Sequence, residues 1–240
     1  MPIFLALPYA VYAGVVFTVL ALLALLIVLP LPGLAARRGL VRIAARLFLF
    51  LVGMRVRVVH PENLPPGPCV IVANHSSYLD GIVLKAILPA RFGFVIKREM
   101  NDVPLAGLLL RRIGAEFVDR GKGQRGARDA RRVLKAASTG NSLVFFPEGT
   151  FSPQPGLLRF HSGAFVSAAR ANFPVAPVVI RGTRKALPPV RPLPSPGVIE
   201  VVLLPAISAE SLPSEAAVAD LKNRSRTMIL AVLGEPDLSS

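Results

Sequence analysis

The first 36 residues carry no charged side chain. From Met1 to Ala36 every position is apolar or small apart from Tyr9, Tyr12 and Thr18, and the first charge is Arg37. Within this run, Pro8 to Leu29 gives 22 uncharged residues. As a helix it reaches about 33 Å, enough to cross the hydrocarbon core of a bilayer. Pro30 and Pro32 end it, because proline cannot continue a helix. The run lacks the basic start and short apolar stretch of a cleavable signal peptide. The pattern then becomes mixed. Between Gly39 and Gly53, Arg42 and Arg46 stand four residues apart among aliphatic positions, so they share one helix face. That spacing predicts an amphipathic helix lying in the membrane interface with its arginines among phosphate head groups. Either the first helix spans, or the pair dips together into one leaflet. A buried hairpin in a soluble core is disfavoured by the uncharged length.

Beyond Arg55 the period shortens to strands. Arg55 to Val59 alternates, and short β-branched or apolar runs follow at Val70–Ala73, Phe92–Ile96, Glu116–Val118, Leu143–Phe146, Val175–Ile180 and Ile199–Leu203. Helix-like stretches separate them, among them Gly81–Leu88, the arginine-rich Gln124–Ala137 and a closing helix at Ser214–Leu233. Alternating strands and helices predict an α/β fold, a mostly parallel central sheet flanked by helices. Two units are expected: residues 1–54 as N-terminal membrane-anchoring helices, and residues 55–240 as the α/β domain.

The balance of 28 basic against 14 acidic residues gives a net charge of +14, which calls for an anionic partner. Nucleic-acid binders interleave basic residues with aromatic ones. Here Trp is absent and Tyr occurs three times. With the apolar N-terminus, the expected partner is anionic membrane lipid rather than nucleic acid. Arg37, Arg38, Arg42 and Arg46 directly after the apolar run place the remainder on the cytoplasmic face of the inner membrane by the positive-inside rule. The single cysteine, Cys69, lies in an apolar run and reads as a small buried hydrophobe.

Candidate chemistry sits where the Val70–Ala73 strand ends, in Asn74-His75-Ser76-Ser77-Tyr78-Leu79-Asp80. Strand-to-helix turns at the carboxyl edge of a parallel sheet are where such folds bind ligands. If the helix begins near Ser77, the turn can fold Asp80 back onto His75. A carboxylate on Nδ1 fixes the imidazole tautomer and leaves Nε2 free to take a proton. The same spacing, Ser77-x-x-Asp80, also reads as a variant capping box, which would make Asp80 a helix-start residue.

Four ordered blocks resemble the lysophospholipid acyltransferase family, whose type member is 1-acyl-sn-glycerol-3-phosphate acyltransferase. They are Asn74-His75-x4-Asp80, with Ile96-Lys97-Arg98-Glu99-Met100 after it; Gly114-Ala-Glu-Phe-Val-Asp119-Arg120; Phe146-Pro147-Glu148-Gly149-Thr150, followed by Gly163-Ala164-Phe165; and Pro174-Val-Ala-Pro-Val178. The resemblance implies an acyl thioester donor, of coenzyme A or acyl carrier protein, as co-substrate, and a lysophospholipid acceptor, lysophosphatidic acid first. It implies no metal and no bound cofactor. His75 and Asp80 would be catalytic. Lys97, Arg120, Glu148, Gly149 and Thr150 would bind substrate, with Arg120 as the phosphate ligand. Two positions depart from the family pattern. Phe151 stands where Arg commonly follows Glu-Gly-Thr, and Phe160-His161-Ser162 stands where a Lys is common. Both remove a cation, which leaves another lyso-lipid such as a lyso-ornithine lipid open as acceptor. Competing readings are a non-catalytic protein binding anionic lipid, and a hydrolase. The latter is disfavoured because no Gly-x-Ser-x-Gly elbow is present.

Overall fold

The structure is a computed structural model and describes residues 3–119, 132–137, 140–190, 193–208 and 214–239. Seven strands make one sheet in the order β1-β7-β6-β2-β5-β3-β4. They are β1 (Met54–Val59), β2 (Val70–Ala73), β3 (Phe92–Lys97), β4 (Glu116–Val118), β5 (Ser142–Phe145), β6 (Val175–Arg181) and β7 (Gly197–Leu203). Five strands, from β6 through β2, β5 and β3 to β4, run parallel. β7 is antiparallel to β6 and parallel to β1. The mostly parallel sheet is thus present, with a two-strand edge running the other way.

The described helices are α1 (Ile3–Val28), α2 (Leu34–Leu51), α3 (Leu79–Ile87), α4 (Ala106–Arg112), α5 (Gly163–Ala171), the short α6 (Thr183–Ala186) and α7 (Ser214–Leu233). Residues 132–137 are helical as well. The rest of the arginine-rich stretch expected to be a helix lies outside the described residues. Alternate residues of the central strands feed two cores, as the period of two requires. Ile71, Ala73, Ala176, Val178 and Ile180 pack with α2 and α3 on one face. Val70, Val72, Leu143, Phe145 and Val175 pack with α5 and α7 on the other. β2 and β5 are neighbours whose connections leave in opposite directions. α3 follows β2 on one face, and α5 follows the loop after β5 on the other. Their carboxyl ends therefore form the switch point where open α/β sheets bind ligands.

The arginines of α2 are not spent on head groups. Arg42 donates to the carbonyls of Ala86 and Ile87, and Arg46 donates to that of Ala86 at 2.7 Å. These are carbonyls at the end of α3, where a helix leaves its acceptors unpaired and its dipole favours cations. Arg38 is buried and donates to Ile113, Arg91 and Gly114 carbonyls at 2.9, 3.1 and 3.2 Å. A Cβ on Gly93 would lie 2.8 Å from its Nη2, so Gly93 gives the guanidinium its room. The interfacial reading of these arginines is corrected on that ground. The spacing that places them on one face is right, but that face meets the globular part.

α1 is held at both ends. Tyr9 and Tyr12 donate to the carbonyls of Val52 and Leu51, and Arg112 donates to those of Val28 and Leu29. Phe17 meets Phe48 edge-on between them. Residues 6–28 of α1 are long and apolar enough to cross a membrane, and only 22% of its most apolar window is buried. Held this way, α1 lies along α2 with an apolar outer face.

Replacing Arg38 by Leu should lower the unfolding free energy by roughly 2–4 kcal/mol, because it leaves three carbonyls of the α2 contact without their charged donor. Thermal unfolding of the two proteins in the same detergent measures the difference. An unchanged midpoint would show that the contact carries no stability.

Candidate active site

The turn after β2 is held from three sides. Asn74 pairs with the backbone of Ile180 in β6, its Nδ2 donating to the carbonyl at 2.9 Å and its Oδ1 accepting from the amide at 2.7 Å. The amide of His75 donates to Glu148 Oε1 at 2.6 Å, reaching the loop after β5. Asp80, in the first turn of α3, folds back over the turn. Its Oδ2 accepts from His75 Nδ1 at 2.8 Å and from the amides of Ser76 and Ser77 at 2.7 and 2.9 Å.

Both readings of Asp80 therefore hold together. It satisfies amides at the helix start and grips the imidazole with one oxygen. Asp80 is 0% exposed and its Oδ1 is buried with no hydrogen-bond partner among the described residues. A carboxylate oxygen only accepts, so the contact places the proton on Nδ1 and the lone pair on Nε2. The side chain of His75 is 19% exposed. Phe146 stacks on it at 4.3 Å between ring centres, and Phe151 meets it edge-on at 4.7 Å. Phe151 in turn touches Tyr78 edge-on. The imidazole thus sits in an apolar collar, open to solvent on a fraction of its surface.

Glu148, expected to bind substrate, is occupied by the backbone among the described residues. It is 4% exposed, and its two oxygens accept from the amides of His75 and Leu158, the latter at 2.8 Å. Burial pushes its carboxyl up to about 7, outweighing the two amide donors and Arg184, which pull it down. Glu148 joins the His75 turn to the loop after β5. Gly149 follows with φ +81°, a conformation that L side chains resist, and turns the chain back. Thr150 is exposed beside it.

Lys97 lies at the carboxyl end of β3, two strands from β2, where its Nζ pairs with Glu99 at 2.9 Å. The structure does not bring it to His75 by any described contact. Arg120 lies outside the described residues. No group of three or more His, Cys, Asp or Glu among the described residues is placed to hold a metal. Cys69 is fully buried, and burial raises its thiol to about 11, which leaves it without nucleophilic character at neutral pH.

Several partners in this site were not read from sequence. Ser76 shares a hydrogen bond with Thr183 of α6 at 3.0 Å, and Ser77 donates to the Leu187 carbonyl at 2.8 Å. Arg184 donates to the Ser152 carbonyl and pairs with Glu235 at 3.3 Å, tying the loop after β5 to the C-terminal segment. These contacts join residues about 30 to 110 positions apart, so no local pattern announces them.

The model of the acyltransferase family matches residues 55–181. The chain is 30% identical to human 1-acyl-sn-glycerol-3-phosphate acyltransferase beta over 239 residues, covering 95% of this chain and 84% of that one. It is 32% identical to the 1-acyl-sn-glycerol-3-phosphate acyltransferase of Saccharomyces cerevisiae over 168 residues, 69% of this chain and 55% of the relative. This chain thus spans little more than half the length of the yeast relative. Among solved structures, the crystal structure of the 1-acyl-sn-glycerophosphate acyltransferase PlsC from Thermotoga maritima matches with a TM-score of 0.74. It covers 95% of this chain and 98% of that one at 21% identity. That likeness carries the fold.

Glu148 supplies a test of the site's electrostatics. A raised value means that the folded protein keeps a proton which the unfolded chain releases near 4.5. Stability that is full below that pH is therefore lost as the pH rises through about 7. E148Q has no proton to lose. Its unfolding free energy relative to the parent should improve by roughly 1–3 kcal/mol between about pH 5 and pH 8. Thermal unfolding across that range measures it, and a constant difference would show that Glu148 titrates normally.

Proposed function

We propose, for a chain that belongs to the acyltransferase family, that it transfers a fatty acyl group from an acyl thioester to the free hydroxyl of lysophosphatidic acid, giving phosphatidic acid. The observation that carries this reading is the 2.8 Å contact of His75 Nδ1 with a fully buried Asp80 at the sheet's switch point. It leaves Nε2, the free nitrogen, as the base. Support for the substrates comes from the relatives, which are named for 1-acyl-sn-glycerol-3-phosphate. The donor is an acyl thioester of coenzyme A or of acyl carrier protein.

In this reading the acceptor hydroxyl gives its proton to His75 Nε2 as its oxygen attacks the thioester carbonyl. The carbon–sulfur bond then breaks, and the proton returns from His75 to the departing sulfur. Asp80 is a positioning residue: it holds the ring and stabilises the imidazolium that forms during attack. Burial of the ring between Phe146 and Phe151 keeps water from the base, which favours transfer to the acceptor over hydrolysis. Arg120 remains the candidate for the acceptor's phosphate, with Lys97 a second. The membrane enters as the source of the acceptor, with the apolar outer face of α1 as the element that meets it.

His75→Ala should lower turnover by roughly 10²–10⁴-fold on an acyl-CoA and acyl-carrier-protein donor panel, with KM for the acceptor little changed. Asp80→Asn separates charge from shape. Its amide oxygen can occupy the place of Oδ2 and keep all three donors, while its amino group takes the unpartnered place of Oδ1. Turnover should still fall roughly 10- to 10³-fold, because the charge opposing the imidazolium is gone. Diacyl product from lysophosphatidic acid and from other lyso-lipids reads out both. Product formation by H75A at the parent rate would sink the assignment.

A further inference from the structure

Leu105 breaks two rules at once. Three non-glycine residues among the described ones have positive φ: His60, Leu105 and Asn172. His and Asn tolerate that region, whereas a bulky apolar side chain there is an outlier. Leu105 has φ +61° and ψ −49°, and the Ala106 amide donates to the Pro104 carbonyl at 2.6 Å across it. This is the strained three-residue γ-turn. The turn wins no burial in return: Leu105 is 55% exposed and Val103, two residues before it, is 42% exposed. A strained backbone that lifts two aliphatic side chains into solvent does not serve folding. Strain of this kind persists where function selects it.

Its place in the fold says what covers it. The loop follows the carboxyl end of β3, on the sheet edge that also carries His75. It leads into α4, whose Arg112 grips the end carbonyls of α1. The tip is therefore continuous, through α4, with the helix whose outer face is apolar over most of its length. Lys97, Arg98, Arg111 and Arg112 flank it, against the acids Glu99 and Asp102. An aliphatic tip with an excess of cations beside an apolar helix matches the hydrocarbon and head-group layers of an anionic bilayer.

We infer that the Val103–Leu105 tip is a second membrane-inserting element, entering an anionic lipid leaflet beside α1 and drawing the carboxyl edge of the sheet, with His75, down to the lipid surface. This rests on the membrane role proposed for α1 and adds a contact from the globular part. It fixes the orientation of the domain, because two separated points of insertion leave less freedom to tilt than one helix does.

The chain has no tryptophan, so a single introduced one reports on its own position. L105W, V19W on the outer face of α1 and N223W on α7 are prepared in the full chain. α7 covers the opposite face of the sheet from α2 and α3. Each is mixed with vesicles of phosphatidylcholine and phosphatidylglycerol whose acyl chains are brominated at known depth. V103W is the second probe of the tip, in case the strained turn rejects the larger ring. Blue-shifted, bromine-quenched emission from L105W or V103W as well as V19W, with N223W unquenched, is the expected result. Quenching of V19W with the folded tip probes unquenched overturns the tip and leaves the α1 reading standing. Folded variants with none quenched overturn both.

Discussion

One oxygen atom organises the functional end of this protein. Asp80 Oδ2 receives the His75 ring and two backbone amides. A buried carboxylate is tolerated only where donors replace the water it has lost, and here those donors belong to the turn itself. The start of α3, the path of residues 74–78 and the orientation of the imidazole therefore form a single unit. Moving any one of them removes a donor from a buried oxygen. Asn74 and Glu148 then fasten that unit to β6 and to the loop after β5. The imidazole is fixed relative to the three strands whose carboxyl ends meet there, and the rigidity of the sheet passes directly to it.

The helical hairpin is joined to the sheet by a different interaction, in which guanidinium groups satisfy carbonyls that secondary structure leaves over. Arg42 and Arg46 finish α3, Arg38 reaches the segment between α4 and β4 and the loop before β3, and Arg112 returns the favour at the end of α1. Arginine suits this because several donors in a rigid plane can meet several acceptors. The apolar surface of α2 then closes the core against α3 through Phe48, Leu49 and Val52. An apolar helix with an unpartnered outer face is thereby set at a defined angle on the globular part instead of being left on a free tether.

How far the sequence could be read follows the range of the forces involved. β2 and α7 stand where they were expected, at Val70–Ala73 and Ser214–Leu233, because a short apolar run and a bounded helical stretch are local signals. The His75–Asp80 contact was legible because both partners lie within one turn. The reversal of β7 was not, since parallel and antiparallel pairing bury the same residues. Nor was the work of the α2 arginines. Sequence shows which face they share, but a lipid phosphate and a helix-end carbonyl demand the same cation. The amide partners of Glu148 were not legible either, because a motif marks a position and not the direction of a side chain.

Three departures from ordinary folding rules lie on one edge of the sheet. Asp80 keeps a buried oxygen without a partner among the described residues, burial pushes the Glu148 carboxyl up to about 7, and Leu105 sits strained and exposed. Each costs stability, and each lies past the carboxyl end of a parallel strand: β2, β5 and β3 in turn. The central strands β2, β5 and β6 are buried along nearly their whole length between the two cores. A protein retains such a set only where the alternatives would forfeit something other than stability. For Asp80 that is a carboxylate close enough to the imidazole to hold it. For Glu148 it is a link between two loops that a charged surface residue could not make, and for Leu105 the exposed aliphatic tip from which the membrane contact is inferred. Their shared edge, the one that carries His75, is what makes the three local costs one arrangement.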